Sequence, residues 1–381
     1  MILINSKLPT VGTTIFSVMS KLAQDHQAIN LSQGFPDYPT DSKLIDFVTA
    51  AMKDGYNQYA PMPGLLELRT LIADKTKKLY NADYDPETEI TITAGGTQAI
   101  FTALTAIINP GDEVIIFEPA YDCYSPTVKL LGGLVKPFEL HGPDYKIDWE
   151  MVKKLFTANT RMIILNSPQN PTGSILSKED IDALIKLTKN TDILILSDEV
   201  YEHIIFDGEK HQSVALYPEL QERSFIVASF GKLLHTTGWK LGYCLAPTKL
   251  TAEFRKIHQF NVFSVNTPMQ MGVANYLKNE PVYENISGYF QEKRDLFRGL
   301  LSKTKFKLLP CKGSYFQCVS YDGISDEKDT DFAKRLITDF GVASIPVSAF
   351  YTKSNDAKIL RFCFAKKEET LHNAIERLLK V

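Results

Sequence analysis

At 381 residues the chain is longer than one hydrophobic core usually supports, so two unequal domains with a cleft between them are expected. Hydrophobic residues at 44% and charged residues at 23% fit a soluble globular protein and exclude a disordered or fibrous one. A net charge of −3 gives no field to gather nucleic acid, no segment approaches eighteen uninterrupted apolar residues, and the five cysteines are dispersed without a C-x-x-C pair, so nucleic-acid, membrane, metal and disulfide roles are set aside.

The start of the chain, Met1 to Thr10, lacks a charged stretch followed by an apolar run, and a cytoplasmic location is expected. Residues 1–40 are punctuated by Pro and Gly and are expected to pack on a second domain or on a partner subunit. From Glu89 onward, short apolar runs alternate with helical spacing. Glu89–Thr93, Glu113–Phe117, Arg161–Leu165, Asp192–Leu196, Ser224–Ala228 and Gly242–Ala246 read as strands buried on both faces. Thr97–Ile108 and Lys178–Thr188 read as helices between them. Residues 41–280 therefore form a large α/β domain around a mostly parallel sheet. After about Pro281 the texture changes: a charged amphipathic helix (Tyr283–Lys303), a strand (Gly313–Val319), and helices over Asp331–Phe340 and Lys367–Lys380 predict a smaller α+β domain, 281–381.

The most informative stretch is Ser229-Phe230-Gly231-Lys232, continuing through Thr236-Thr237-Gly238-Trp239-Lys240, directly after the strand Ser224–Ala228. Open α/β sheets bind ligands outside the carboxyl ends of their strands, so Lys232 is delivered to the place where a cofactor would lie. A lone lysine is usually a solvated surface charge. Here Phe230, Leu233 and Trp239 offer desolvation and Lys240 a second cation, which together would free a neutral amine for Schiff-base chemistry. Ser229 and Lys240 suit a phosphate monoester.

Three further pieces are each weak alone. Thr93-Ala94-Gly95-Gly96-Thr97 turns a strand into a helix and would bind an anion on backbone N–H groups, although such a pair is commonly only a tight turn. Asp198, in Ser197-Asp198-Glu199-Val200-Tyr201, would keep a pyridine nitrogen protonated, or merely cap a helix. Tyr201, three residues on, and Asn170, in Asn166-Ser167-Pro168-Gln169-Asn170-Pro171, would reach a ring hydroxyl, or simply belong to a loop.

In order and spacing these residues resemble the fold-type I, class I/II pyridoxal-phosphate aminotransferases, from about Ser6 to Leu379. Leu31-Ser32-Gln33-Gly34-Phe35-Pro36-Asp37, Asn57-Gln58-Tyr59 and Arg361-Phe362-Cys363-Phe364 look most like the branch of methionine and kynurenine (glutamine) aminotransferases. The resemblance implies an aspartate aminotransferase-like fold, pyridoxal 5′-phosphate as cofactor, amino acids and 2-oxo acids as substrates, and a homodimer with a shared active site. It implies that Lys232 forms the Schiff base, that Asp198 pairs with the pyridine nitrogen, and that Asn170 and Tyr201 hold the ring hydroxyl. Tyr121 would stack on the ring, Asn166 would lie near it, and Gly96, Thr97, Ser229 and Lys240 would cradle the phosphate. Tyr59 would reach the neighbouring subunit's site. Arg361, opening a strand, would clamp the substrate carboxylate with the Gly34 backbone and Asn170, because a planar guanidinium binds both carboxylate oxygens. Many relatives carry Arg where this chain has Lys240, which keeps the charge and loses the fork.

Phe16, Tyr59, Tyr121 and Phe263 are candidates for an apolar side-chain pocket suited to methionine or aromatic substrates, and no arginine is obviously placed for a dicarboxylate. Core packing is the ordinary role of such aromatics. Two alternatives stand beside transamination of methionine. One is a kynurenine or glutamine transaminase with β-lyase activity on cysteine conjugates. The other is a non-catalytic regulator on the same fold, which would carry an added DNA-binding domain for which there is no room before Ser6.

Overall fold

Six buried apolar runs and one half-exposed edge strand make a seven-stranded sheet in the computed structural model, which describes residues 5–280, 282–353 and 356–381. The strands are β1 (Ile90–Thr93), β2 (Glu113–Glu118), β3 (Leu134–Glu139), β4 (Thr160–Asn166), β5 (Leu194–Asp198), β6 (Ser224–Ser229) and β7 (Gly242–Leu245). Their order across the sheet is β1-β7-β6-β5-β4-β2-β3. All pairs are parallel except those of β7, which runs antiparallel to both its neighbours. Side chains alternate between two apolar layers: Ile116, Ile164, Leu196 and Val227 pack under the helix Gly96–Ile107, while Ile115, Ile163, Ile195 and Ile226 face the other way. Burial on both faces is why these strands read as continuous apolar runs; each such side chain contributes roughly 1.5–3 kcal/mol.

β3 is absent from the sequence reading. It is an edge strand, half-exposed along its length, and Lys136, Pro137 and Glu139 break the apolar signal. β5 runs two residues beyond its expected end, through Ser197 and Asp198, both buried. The helix Lys178–Thr188 begins with a capping box in which Ser177 and Asp180 bond each other's backbone N–H.

A second sheet has strands β8 (Lys307–Leu308), β9 (Phe316–Ser320), β10 (Ile345–Pro346) and β11 (Ile359–Cys363), antiparallel in the order β10-β11-β9-β8. Arg361 lies in the middle of β11, paired with Cys318 on one side and Ile345 on the other, rather than opening the strand as expected. Near the N-terminus, Ile29–Asn30 pairs in parallel with Val342–Ala343, and the helix Ile15–Asp25 packs against the helix Asp329–Phe340. The expected boundary residue Pro281 and the first four residues lie outside the described residues. Among the described residues no helix is long and apolar enough to cross a membrane.

Candidate active site

The carboxyl ends of three adjacent strands set three expected residues side by side. Asn166 ends β4, Asp198 ends β5 and Ser229 ends β6; the register pairs Asn166 with Asp198, and Ser229 with Gly242. Together with the turn after β1, the segment Gln33–Phe35 and β11, they wall a cavity of about 300 Å³. Every candidate cofactor- or substrate-binding residue named above lines it except Tyr59 and Phe263, while Phe230, Leu233 and Trp239, expected to desolvate Lys232, are not among the lining residues. Those two pack edge to face, centroids 5.2 Å apart, on the outer surface, where Tyr59 is 81% exposed. Hydrogen bonds of Ser264 and Thr267 to Ala60 and Gln58 tie their two loops to each other, so neither ring reaches the cavity of its own chain.

Lys232 sits in the short helix Phe230–Leu233. Its Nζ donates to Tyr315 Oη at 2.9 Å and to the Gly34 carbonyl at 3.3 Å, and Tyr315 Oη donates to the same carbonyl at 2.6 Å. Burial pushes the Lys232 ammonium down to about 8; Arg361 and Lys240 add to the fall, and Cys363 and Asp198 oppose it. Gly34 is required by close approach, since a Cβ there would lie 2.7 Å from the Phe316 ring.

Asp198 is fully buried and accepts from Tyr124 Oη at 2.5 Å and from the Val200 N–H at 3.3 Å. Desolvation lifts its carboxyl to about 6, while these bonds and Lys232 hold it from rising further. Asn166 Nδ2 donates to the Asp198 carbonyl, and Asn166 Oδ1 accepts from the Asn170 N–H. Tyr201 packs its ring edge to face with Tyr315 at 5.1 Å, and burial holds its hydroxyl well above the usual tyrosine range.

At the end of β1 the chain turns through Gly95 at φ +82°, a conformation that favours glycine, into the helix Gly96–Ile107. No side chain caps this helix, so its first N–H groups remain free for an anion. Lys240 hangs over the turn: a Cβ on Gly95 would lie 3.4 Å from its Cε and Nζ. Thr97 Oγ1 and Tyr121 Oη are 3.2 Å apart beside it.

Arg361 is 1% exposed. One terminal nitrogen donates to Asn170 Oδ1 at 2.6 Å and the other to the Ser32 carbonyl at 2.7 Å, while Nε has no partner. The Phe316 ring lies 3.9 Å from the guanidinium carbon, with Phe16 and Phe350 each at 5.3 Å. Among the described residues no carboxylate forms an ion pair with it, so a buried cation is left facing the cavity without a counter-ion.

Tyr315, Tyr124, Phe316 and Ser32 are site residues that sequence reasoning missed. Tyr315 and Phe316 stand in and before a strand of the second sheet and read as ordinary core aromatics. Tyr124 starts a short helix, and only its nearness to Tyr121 in the chain hints at a role.

The chain matches the family model of aminotransferase class I and II over residues 26–378. It is 46% identical to a methionine aminotransferase of Escherichia coli, an alignment covering 98% of this chain and 97% of that one. The crystal structure of the Escherichia coli protein YbdL, to which a methionine aminotransferase function has been assigned, is similar at TM-score 0.98 and 45% identity, covering 100% of both chains. Human kynurenine–oxoglutarate transaminase 1 is 33% identical, over 94% of each chain.

Proposed function

The chain belongs to the class I and II aminotransferases and has their fold, and from that premise we propose that it moves the amino group of methionine, and of other neutral or aromatic amino acids, to a 2-oxo acid, using pyridoxal 5′-phosphate and acting as a cytoplasmic homodimer. The observation that carries the reading is one cavity holding both a lysine able to lose its charge near neutral pH and a buried guanidinium without an anion. The first suits amine chemistry and the second an α-carboxylate, which together describe an α-amino acid.

The residues present fit the cofactor. A phosphate would rest on the free N–H groups of Gly96 and Thr97, with the Thr97 and Ser229 hydroxyls and the Lys240 charge around it. Asp198, ionised above about pH 6, would pair with the protonated ring nitrogen. Asn170 and Tyr201 would hold the ring hydroxyl, Tyr121 would cover one face and Asn166 would lie beside it. When bound, pyridoxal phosphate supplies an electron sink for the pair released as the substrate's Cα–H bond breaks.

This chain's own residues do the rest. Arg361 binds the α-carboxylate with Asn170 and the Gly34 backbone, fixing Cα relative to Lys232. A neutral Lys232 Nζ would accept the substrate's Cα proton and hold it as an ammonium, with Tyr315 Oη and the Gly34 carbonyl orienting the nitrogen. The rings of Phe16, Phe35, Phe316 and Tyr121 line the cavity and keep water from the reacting carbon. Tyr59 and Phe263, exposed together, are assigned to the neighbouring subunit of the dimer.

Analysis of products from methionine and from a cysteine S-conjugate tests this reading. Transamination gives the matching 2-oxo acid with amino transfer to the acceptor. Pyruvate and ammonia as main products would make the protein a β-lyase, and no turnover of any amino acid would leave a non-catalytic binder.

A further inference from the structure

One charged side chain in the cavity has no task in the reaction set out above. Asp122 follows Tyr121 on the loop after β2, and it lines the cavity with Phe16, Gln33 and Phe35. Among the described residues no lysine, arginine or histidine forms an ion pair with it and no other side chain donates to it. Asp122 is exposed; desolvation nonetheless raises its carboxyl above the usual range, and its own backbone N–H and then Arg361 pull it back. Its carboxylate lines the same cavity as the Arg361 guanidinium and forms no ion pair with it.

The cations that line the cavity are Lys232, Lys240 and Arg361. On the functional reading given above, on which this inference rests, they serve the reacting carbon, the phosphate and the α-carboxylate. With the α-carboxylate on Arg361 and Cα beside Lys232, the substrate's side chain extends along the remaining wall, past Phe16, Tyr121 and Asp122. A second carboxylate on that side chain meets no unassigned cation and one anion. An amide of the same shape meets a hydrogen-bond acceptor.

We propose that Asp122 is the residue that sets the charge class of the substrate side chain, excluding amino acids and 2-oxo acids with a second carboxylate and admitting neutral ones, with side chains ending in an N–H donor favoured. Because one cavity serves both half-reactions, the same exclusion applies to the amino-group acceptor. Asp122 is partly open to solvent, so screening limits the effect to about tenfold in kcat/KM.

The test compares glutamine with glutamate, which have the same shape and differ in charge, on the cofactor-loaded enzyme. Wild-type protein is expected to prefer glutamine. In Asp122→Asn the glutamine-to-glutamate ratio of kcat/KM falls about tenfold, chiefly through KM, and Asp122→Glu keeps the wild-type ratio; Asp122→Ser repeats the neutral case if the Asn variant does not load cofactor. The acceptor pair, the 2-oxo acids of glutamine and glutamate, shows the same change. A ratio that stays within twofold in the neutral variants while both substrates fall together makes Asp122 a structural loop residue and overturns the proposal. Wild-type preference for glutamate also overturns it. Failure of the methionine reading is separate: it shows as no half-reaction between wild-type protein and methionine, whatever the ratio.

Discussion

Replacing Arg361 with Met separates a guanidinium kept for function from one kept for stability. Arg361 makes two hydrogen bonds, to Asn170 Oδ1 and the Ser32 carbonyl, and leaves Nε unpaired in a site 1% exposed. Losing two such bonds costs about 3 kcal/mol, whereas removing a desolvated cation without a counter-ion returns several kcal/mol. The unfolding midpoint of the cofactor-loaded, substrate-free variant should therefore stay within about 3 °C of wild type or rise. Binding of the α-carboxylate, in contrast, loses two charge-assisted bonds of roughly 1.5–3 kcal/mol each, so kcat/KM for methionine should fall by about 10²- to 10⁴-fold. Arg361→Lys keeps the charge without the fork and should fall between the two. The assay pairs thermal unfolding with steady-state kinetics on methionine and on 3-(methylthio)propylamine, the same molecule without its carboxylate, which should be insensitive to the substitution. A midpoint lowered by more than about 8 °C, or equal losses on both substrates, would refute the reasoning and make Arg361 a structural residue.

Lys232 gives two pH signatures. Between its folded value of about 8 and its ordinary 10.5 the unfolded chain holds a proton that the folded one has shed, so cofactor-free protein should gain stability with rising pH across that window, relative to Lys232→Met. Parallel stability curves for the two proteins would contradict this. Capture of pyridoxal phosphate by cofactor-free protein, followed by absorbance, should quicken as pH rises toward 8 and then level off; a flat profile would count against a neutralisable amine. Tyr124→Phe removes a bond that favours the ionised form of Asp198, so the acid limb of kcat that Asp198 governs should move to higher pH than in the wild type. An unmoved limb would show that Asp198 does not govern it.

Six strands of the large sheet were legible because both faces of each are buried, which turns a strand into an uninterrupted apolar run between turn residues. β3 was not, since an edge strand with one wet face keeps Lys136 and Glu139; the helices Leu66–Tyr80 and Thr267–Asn279 have weak apolar periodicity, whereas Ser42–Lys53 and Thr248–Asn261 are as amphipathic as Lys178–Thr188 and are legible in the sequence although not among the expected elements. The hydrophobic pattern ends the strand before Asp198 at Leu196, because it registers buried apolar atoms and not a buried carboxylate satisfied by Tyr124. The cavity residues at strand ends and glycine turns stand out locally. Tyr315 and Tyr124 do not: their roles come from hydroxyls that converge in space on Lys232 and Asp198, and nothing in their sequence neighbourhood distinguishes them from packing. Tyr59 and Phe263 stand apart from the cavity because a single chain presents them outward.

The most direct test is the absorbance spectrum of cofactor-loaded protein before and after methionine is added without any 2-oxo acid. Conversion of the lysine-bound cofactor band to that of pyridoxamine phosphate, with release of one equivalent of the methionine-derived 2-oxo acid, is the result predicted. A band that no amino acid converts would contradict an amino-transferring role for Lys232 and Arg361.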